Sequence, residues 1–331
     1  MHLLSPAGRA ARLSVLIFHR VLASPDPIFE GEVDAQRFDA ICSWVRQWCH
    51  VLPLDEAISR LGNGSLPARA LAITFDDGYA DNHDVALPIL QHHGLSATFF
   101  VATGFLDGGC MWNDRVIEAV RQCPGDTLIL PGSAAISGGA FDVRTAQARR
   151  QTIEHLLRTM KYLSMAERLV CADGIARASG ASMPADLMMS SGQVAALTRN
   201  GMLVGGHTVN HPILATLNDK AALQEITAGK HALESMTQAP VDFFAYPNGK
   251  PGTDYSDRDV ALVVSAGFKA AFSTTWGVST AASDWFQLSR FSPWDRSRLR
   301  YGLRLALNMR SVTEAAASES AAAPPPTGRL Q

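Results

Sequence analysis

AITFDDGYADN, residues 72–82, begins as a mostly apolar, strand-like run and then meets two adjacent carboxylates, Asp76 and Asp77. A short apolar run closed by turn residues is the pattern of a strand buried on both faces. Two like charges at the end of such a strand repel, and burial raises their pKa values unless a cation or hydrogen-bond donors compensate. The stretch therefore requires something positive nearby. It also sits where α/β folds collect their chemistry, at the carboxyl end of a strand.

Outward from this segment, similar β-rich runs recur at 13–18, 95–101, 202–206, 242–246, 270–273 and 286–290. Helical patterns lie between several of them, such as DVALPILQHHG (84–94) and DKAALQEITAGKHALESM (219–236). Strands alternating with helices predict an α/β fold with a mostly parallel sheet, open or closed into a barrel. The stretch 107–190 breaks the rhythm and reads as a helical insertion, either shaping a substrate groove or packing as a helical layer. Residues 296–310 form a basic helix with Leu299, Leu303, Ala306 and Leu307 on one side. That helix either touches an anionic membrane surface or closes the fold with a solvated basic face. One domain is expected over 1–312, followed by an Ala/Ser/Pro-rich disordered tail at 313–331.

The chain has 331 residues, 47% of them apolar, which is enough for a sizeable core. A net charge of −2 argues against nucleic acid as a partner. Five cysteines, odd in number and without a CxxC pair, indicate neither a disulfide framework nor a structural metal site, so they read as buried thiols in a reducing compartment. The first apolar run, 13–18, is too short for a signal segment or a membrane span. The expected location is cytoplasmic, or peripheral to the inner face of a membrane.

A positive partner for the carboxylates is offered by LVGGHTVNHPIL (203–214), where His207 and His211 follow another strand. On a helix the spacing would place both imidazoles on one face, but Pro212 disfavours helical dihedrals at His211, so a strand-end loop fits better. Two imidazoles and one carboxylate make an open site for zinc or a similar divalent ion. Paired histidines and paired aspartates are each common by chance. Their joint appearance at strand ends is more specific.

TFDDGY (74–79) and HTVNH (207–211) resemble the first two motifs of the polysaccharide deacetylases, carbohydrate esterase family four, also called the NodB-homology family. FAYPNG (244–249) looks like the third. The resemblance covers roughly 13–293 apart from the insertion. It implies a deformed (β/α) barrel and metal-dependent removal of acetyl groups from N-acetylated sugars: an exopolysaccharide, a cell-wall glycan or a lipid-linked precursor. Under it Asp76 is the general base and Asp77, His207 and His211 hold the metal, zinc first, with cobalt, nickel or iron as the other ions such a site takes. The arginine that supports the base in the family aligns with Ala245, and Arg290 in QLSRFSP (287–293) is the candidate replacement. The family's late Leu-x-His is also missing. VLIFHRV (15–21) resembles that motif moved to the start of the chain, as in a circularly permuted branch that includes poly-N-acetylglucosamine deacetylases, which makes His19 the implied acid. The backbone N–H of Asn248, beside Gly249, is the implied oxyanion donor. Tyr246, Trp276 and MWND (111–114) either stack on sugar rings or pack internally. The alternatives are hydrolysis of a non-sugar amide on the same metal, or an inactive carbohydrate-binding protein. No serine-hydrolase elbow, phosphate loop or dinucleotide fingerprint is present.

Overall fold

The computed structural model describes residues 4–132 and 136–311, so the expected disordered tail at 313–331 lies outside the described residues. Nine strands occur among them: β1 Ser14–Phe18, β2 His50–Val51, β3 Ala70–Phe75, β4 Thr98–Val101, β5 Thr127–Leu130, β6 Gly139–Asp142, β7 Leu203–Gly206, β8 Phe243–Ala245 and β9 Ala270–Phe272. The α-helices are α1 Ala35–Trp48, α2 Leu54–Asn63, α3 Leu87–His93, α4 Trp112–Gln122, α5 Ala146–Met160, α6 Met165–Ser179, α7 Ser191–Arg199, α8 Asp219–Thr237, α9 Asp257–Ser265 and α10 Arg298–Asn308. Local chemistry fixes several boundaries. Asp34 caps α1, Asn218 caps α8, and Ser190 with Gln193 forms a reciprocal capping box on α7.

Two compact units result. Within the described residues the first comprises 4–23, 33–104 and 189–311, and the second comprises 24–32 and 105–188. The first unit holds a curled parallel sheet in the order β1-β3-β4-β7-β8-β9, with β2 added beside β3. Every residue of β1 and β3 is buried, which explains why their sequences, Ser14 and Thr74 apart, are apolar throughout rather than alternating. The expected strand at 286–290 is an extended segment making single bridges rather than a full ladder. It nevertheless joins the sheet's two edges. Leu288 exchanges hydrogen bonds with Ala271 of β9 and with Ser273 just beyond it, while Phe291 bonds to Val15 and Ile17 of β1. This closure makes the sheet a deformed (β/α) barrel.

Alternation along the strands decides what the barrel holds. Leu13 and Val15, Ala70 and Ala72, Phe243 and Ala245, Ala270 and Phe272, with Phe100 and Leu288, form one buried cluster together with Leu54, Ala57, Ile58 and Leu61 of α2. Continuing the same parity past the strand ends brings His19, Asp76, His207 and Arg290 to the top of the barrel. Gly205 lies one step below His207. A Cβ there would meet the Phe100 ring at 2.4 Å, so only glycine admits this ring to the interior.

The second unit is not purely helical, because β5 and β6 pair as an antiparallel hairpin ahead of α5 and α6. It also includes 24–32, where Ile28 joins the core of Val116, Leu128, Ile153 and Leu156. At the end of the first unit, α10 packs through Tyr301, whose ring meets Trp44 of α1 edge-on at 5.6 Å. The leucines that the sequence grouped on one side are therefore not its packing face.

Candidate metal and catalytic centre

Asp76 is buried and lies directly beyond β3, where it meets the fully buried Arg290. The guanidinium grips it with both arms, Nη1 to Oδ1 at 2.5 Å and Nη2 to Oδ2 at 2.7 Å. Arg290 is fixed in turn by its Nε–H, donated to the Ser273 carbonyl at 3.1 Å, and by the Phe100 ring 5.4 Å away. Burial pushes the Asp76 carboxyl up, but the charges of Arg290 and His207 outweigh it and hold the group below the usual carboxylate range.

Asp77 turns the other way, at a φ of 77°, and its Oδ1 lies 3.4 Å from Nε2 of both His207 and His211. His207 donates its Nδ1–H to the Ala245 carbonyl at 2.7 Å, which leaves Nε2 as the nitrogen that faces the aspartate. The loop between the histidines is tightly specified. Thr208 Oγ1 accepts from the His211 N–H at 3.1 Å, and Glu225 of α8 accepts from the N–H groups of Val209 and Asn210 at 3.0 and 2.8 Å. Asp77, Thr208, His211 and Asn248 are non-glycine residues with positive φ, so backbone strain collects around this centre.

These residues fit a divalent ion. Ligands of a tetrahedral zinc at about 2.0–2.1 Å are spaced about 3.3–3.4 Å apart, which matches the aspartate–histidine separations. Asp77 Oδ1 is buried and accepts no hydrogen bond, an arrangement costly to a carboxylate unless a cation meets it. Burial drives the His211 imidazole down to about 4, so it is neutral, the ligand form, at neutral pH. For His207 the same burial is outweighed by Asp76 and Asp77, which raise its pKa. For Asp77, burial is opposed by the histidines, which hold its carboxyl far below the usual range. Asp76 is thus compensated first by Arg290 and then by His207, and Asp77 by His207 and His211 or the ion they would hold.

His19 follows β1, whose register sets Phe18 opposite Phe75, so His19 stands beside Asp76. It is exposed, and it contributes to lowering the pKa values of both aspartates. The end of the stretch 72–82 positions it. Asn82 Nδ2 donates to the His19 carbonyl at 2.8 Å, while Asp81 accepts from the Val21 N–H and from Arg20 Nε at 3.1 and 2.8 Å. Asn248 is exposed in the turn after β8, and its carbonyl accepts from Thr274 Oγ1 at 2.9 Å. Tyr246 is withdrawn from any surface, stacked on Tyr255 with centroids 3.8 Å apart and donating its hydroxyl to the Phe286 carbonyl. Met111 and Asp114 are buried in the second unit, whereas Trp276 is exposed. Among the supporting residues, Glu225 escapes a motif search because a half-buried carboxylate far along the chain carries no local signal, whereas Asp81 and Asn82 close the stretch 72–82 itself but their contacts with 19–21 depend on the pairing of β1 with β3.

Residues 63–124 and 141–271, more than half of the chain, match the family model described as polysaccharide deacetylase. A putative polysaccharide deacetylase of Bacillus subtilis, YxkH, is 32% identical over 95 residues, a segment that spans 28% of this chain and 33% of that protein. Among solved structures, the Streptococcus pyogenes deacetylase PplD in complex with acetate superposes with a TM-score of 0.57 at 19% identity, covering 85% of this chain and 92% of that one. IcaB from Ammonifex degensii gives 0.57 at 16% identity, covering 93% and 99%. At these identities the two likenesses establish the fold.

Proposed function

Because the chain belongs to the polysaccharide deacetylase family, we propose that it hydrolyses the N-acetyl groups of a carbohydrate at a divalent-metal centre formed by Asp77, His207 and His211. The observation that carries this reading is the unpartnered Asp77 Oδ1 set 3.4 Å from two imidazole nitrogens, beside a second aspartate already neutralised by Arg290. An ion bound there supplies Lewis acidity to the acetyl carbonyl and lowers the pKa of water. Asp76, ionised and held by the Arg290 fork, takes a proton from the attacking water. The Asn248 N–H donates to the acetyl oxygen as it gains charge. His19 gives a proton to the departing nitrogen as the C–N bond breaks, leaving acetate and a free amine. The two-imidazole, one-carboxylate donor set suits zinc first, with cobalt, nickel or iron as substitutes. The substrate class is an N-acetylated glycan, and the position of His19 ahead of the aspartate pair favours the permuted exopolysaccharide branch.

The test is acetate release from N-acetylglucosamine oligosaccharides by protein stripped with a chelator and reloaded with zinc. Activity restored by zinc, abolished in Asp76→Asn and accompanied by loss of bound metal in His207→Ala, is the expected result. Glycan binding without acetate release would replace the hydrolase by a binding protein, and a metal-independent release would remove the centre from the reaction.

A further inference from the structure

The last helix of the first unit turns its leucines outward. α10 carries two apolar faces. Tyr301 and Leu305, with Asn308, are buried, whereas Leu299, Leu303 and Leu307 are 83%, 60% and 52% exposed. Successive residues on a helix advance by about 100°, so positions spaced by four form a slowly turning stripe, here opposite the packed side. Exposed leucines at three successive turns are not the scattered apolar residues of an ordinary surface.

The stripe has a consistent border. From Arg296 to Arg310 the chain has five arginines (296, 298, 300, 304 and 310) and no acidic residue, although the chain as a whole carries −2. The adjacent Asp295 is engaged by Arg304. The Arg304 guanidinium also lies over Trp294, 4.3 Å from its ring centroid, and Trp294 packs 4.9 Å from Trp276. Both indoles are about half exposed, at 54% and 47%. Arg300 and Arg304 line a surface cleft with Trp294, so the leucine stripe, the arginine row and the indole pair form one continuous surface.

We propose that this surface docks on an anionic lipid layer, with α10 lying in the plane of the interface. Leucines directed into the acyl boundary, arginines at the headgroups and indoles between them are what such a layer rewards. A second copy of the chain is a poorer occupant, because joining two stripes would bring two arginine borders together. No helix among the described residues is long and apolar enough to cross a membrane, so the contact is with the surface. The face also lies close to the catalytic centre. Trp276 follows Thr275, whose carbonyl accepts from the Arg290 N–H at 3.1 Å, and its ring meets Phe291 edge-on at 5.4 Å.

The experiment is co-flotation of the full chain with phosphatidylglycerol–phosphatidylcholine vesicles and with phosphatidylcholine vesicles alone, beside the triple variant Leu299→Ser, Leu303→Ser, Leu307→Ser. The wild type should float with the anionic vesicles, less with the neutral ones, and less again at high salt. The triple variant should lose at least about tenfold in affinity. Because the three leucines are exposed, the variant should keep the wild-type melting temperature and bound metal, which separates loss of docking from loss of fold. Absence of flotation with anionic vesicles, or equal flotation by the variant, would overturn the proposal. So would a concentration-dependent dimer that the same substitutions dissolve, since the stripe would then belong to a second copy.

Discussion

Arg290 and Asp76, 214 residues apart, form a two-armed ion pair inside the barrel with both partners buried. A buried carboxylate left without its partner is expensive, so Arg290→Met is expected to lower stability by about 3–5 kcal/mol in urea unfolding. Arg290→Lys keeps the charge and loses the planar fork. It is expected to fold, to hold metal, and to lose about a hundredfold in kcat for acetate release with little change in KM. An unchanged kcat would show that charge alone suffices.

Glu225 is expected to matter to metal retention although it touches no ligand atom. It holds the Val209 and Asn210 N–H groups and the Asn210 side chain, and so the loop between the two histidines. Glu225→Ala should weaken zinc binding by about 10–100-fold, the usual effect of removing an outer support, measured by competition with a chromophoric chelator. Affinity equal to that of the wild type would leave the loop to Thr208.

Asn82 supports the other half of the reaction. Without its hydrogen bond to the His19 carbonyl, Asn82→Ala should retain full metal content and lose about tenfold in kcat. Added to His19→Ala it should cost nothing more, because both changes disable the same group. An additive double variant would separate Asn82 from His19.

Asp26 and Arg121 give the second unit a pH-dependent brace, with Nη2 to Oδ2 at 2.6 Å and Nη1 to Oδ1 at 3.1 Å. Burial pushes the Asp26 carboxyl up, but Arg121 and the Ile28 and Phe29 N–H groups bring it below its ordinary value. A depressed folded pKa stabilises the protein fully above the unfolded value of about 4, and the contribution fades as pH falls through the folded value. Arg121→Met should therefore cost about 1–2 kcal/mol at pH 7 and less at pH 2. Urea titrations at the two pH values test this, and a cost independent of pH would assign the loss to packing of the arginine stem.

The barrel strands could be read from the sequence because burial on both faces writes them as continuous apolar runs, and the centre because its aspartates and histidines stand at their ends. Arg290 was legible as a strand-end arginine, but its contact with Asp76 depends on barrel closure, which pairs residues from opposite ends of the sheet. Other features left no local trace. Residues 24–32 have no periodicity and join the second unit through Ile28, Phe29 and the Asp26–Arg121 pair, none of which a sequence pattern announces. The hairpin of β5 and β6 alternates too briefly to separate from a loop. In α10 the periodicity marks two apolar stripes without saying which is covered. The tertiary structure buries Tyr301 and Leu305, and so leaves the leucines outside.

The bridging segment around Leu288 and Phe291 has a kinetic consequence. Its partners in β1 lie near the other end of the sequence, so sealing the barrel demands closure of a very large loop, a slow step for any chain. The trio Asp77, His207 and His211 can come together before that event, whereas the Arg290 grip on Asp76 cannot. Capture of an ion therefore depends on the ends of β3 and β7, whereas holding the base depends on the seam that closes the barrel, and hydrolysis needs both.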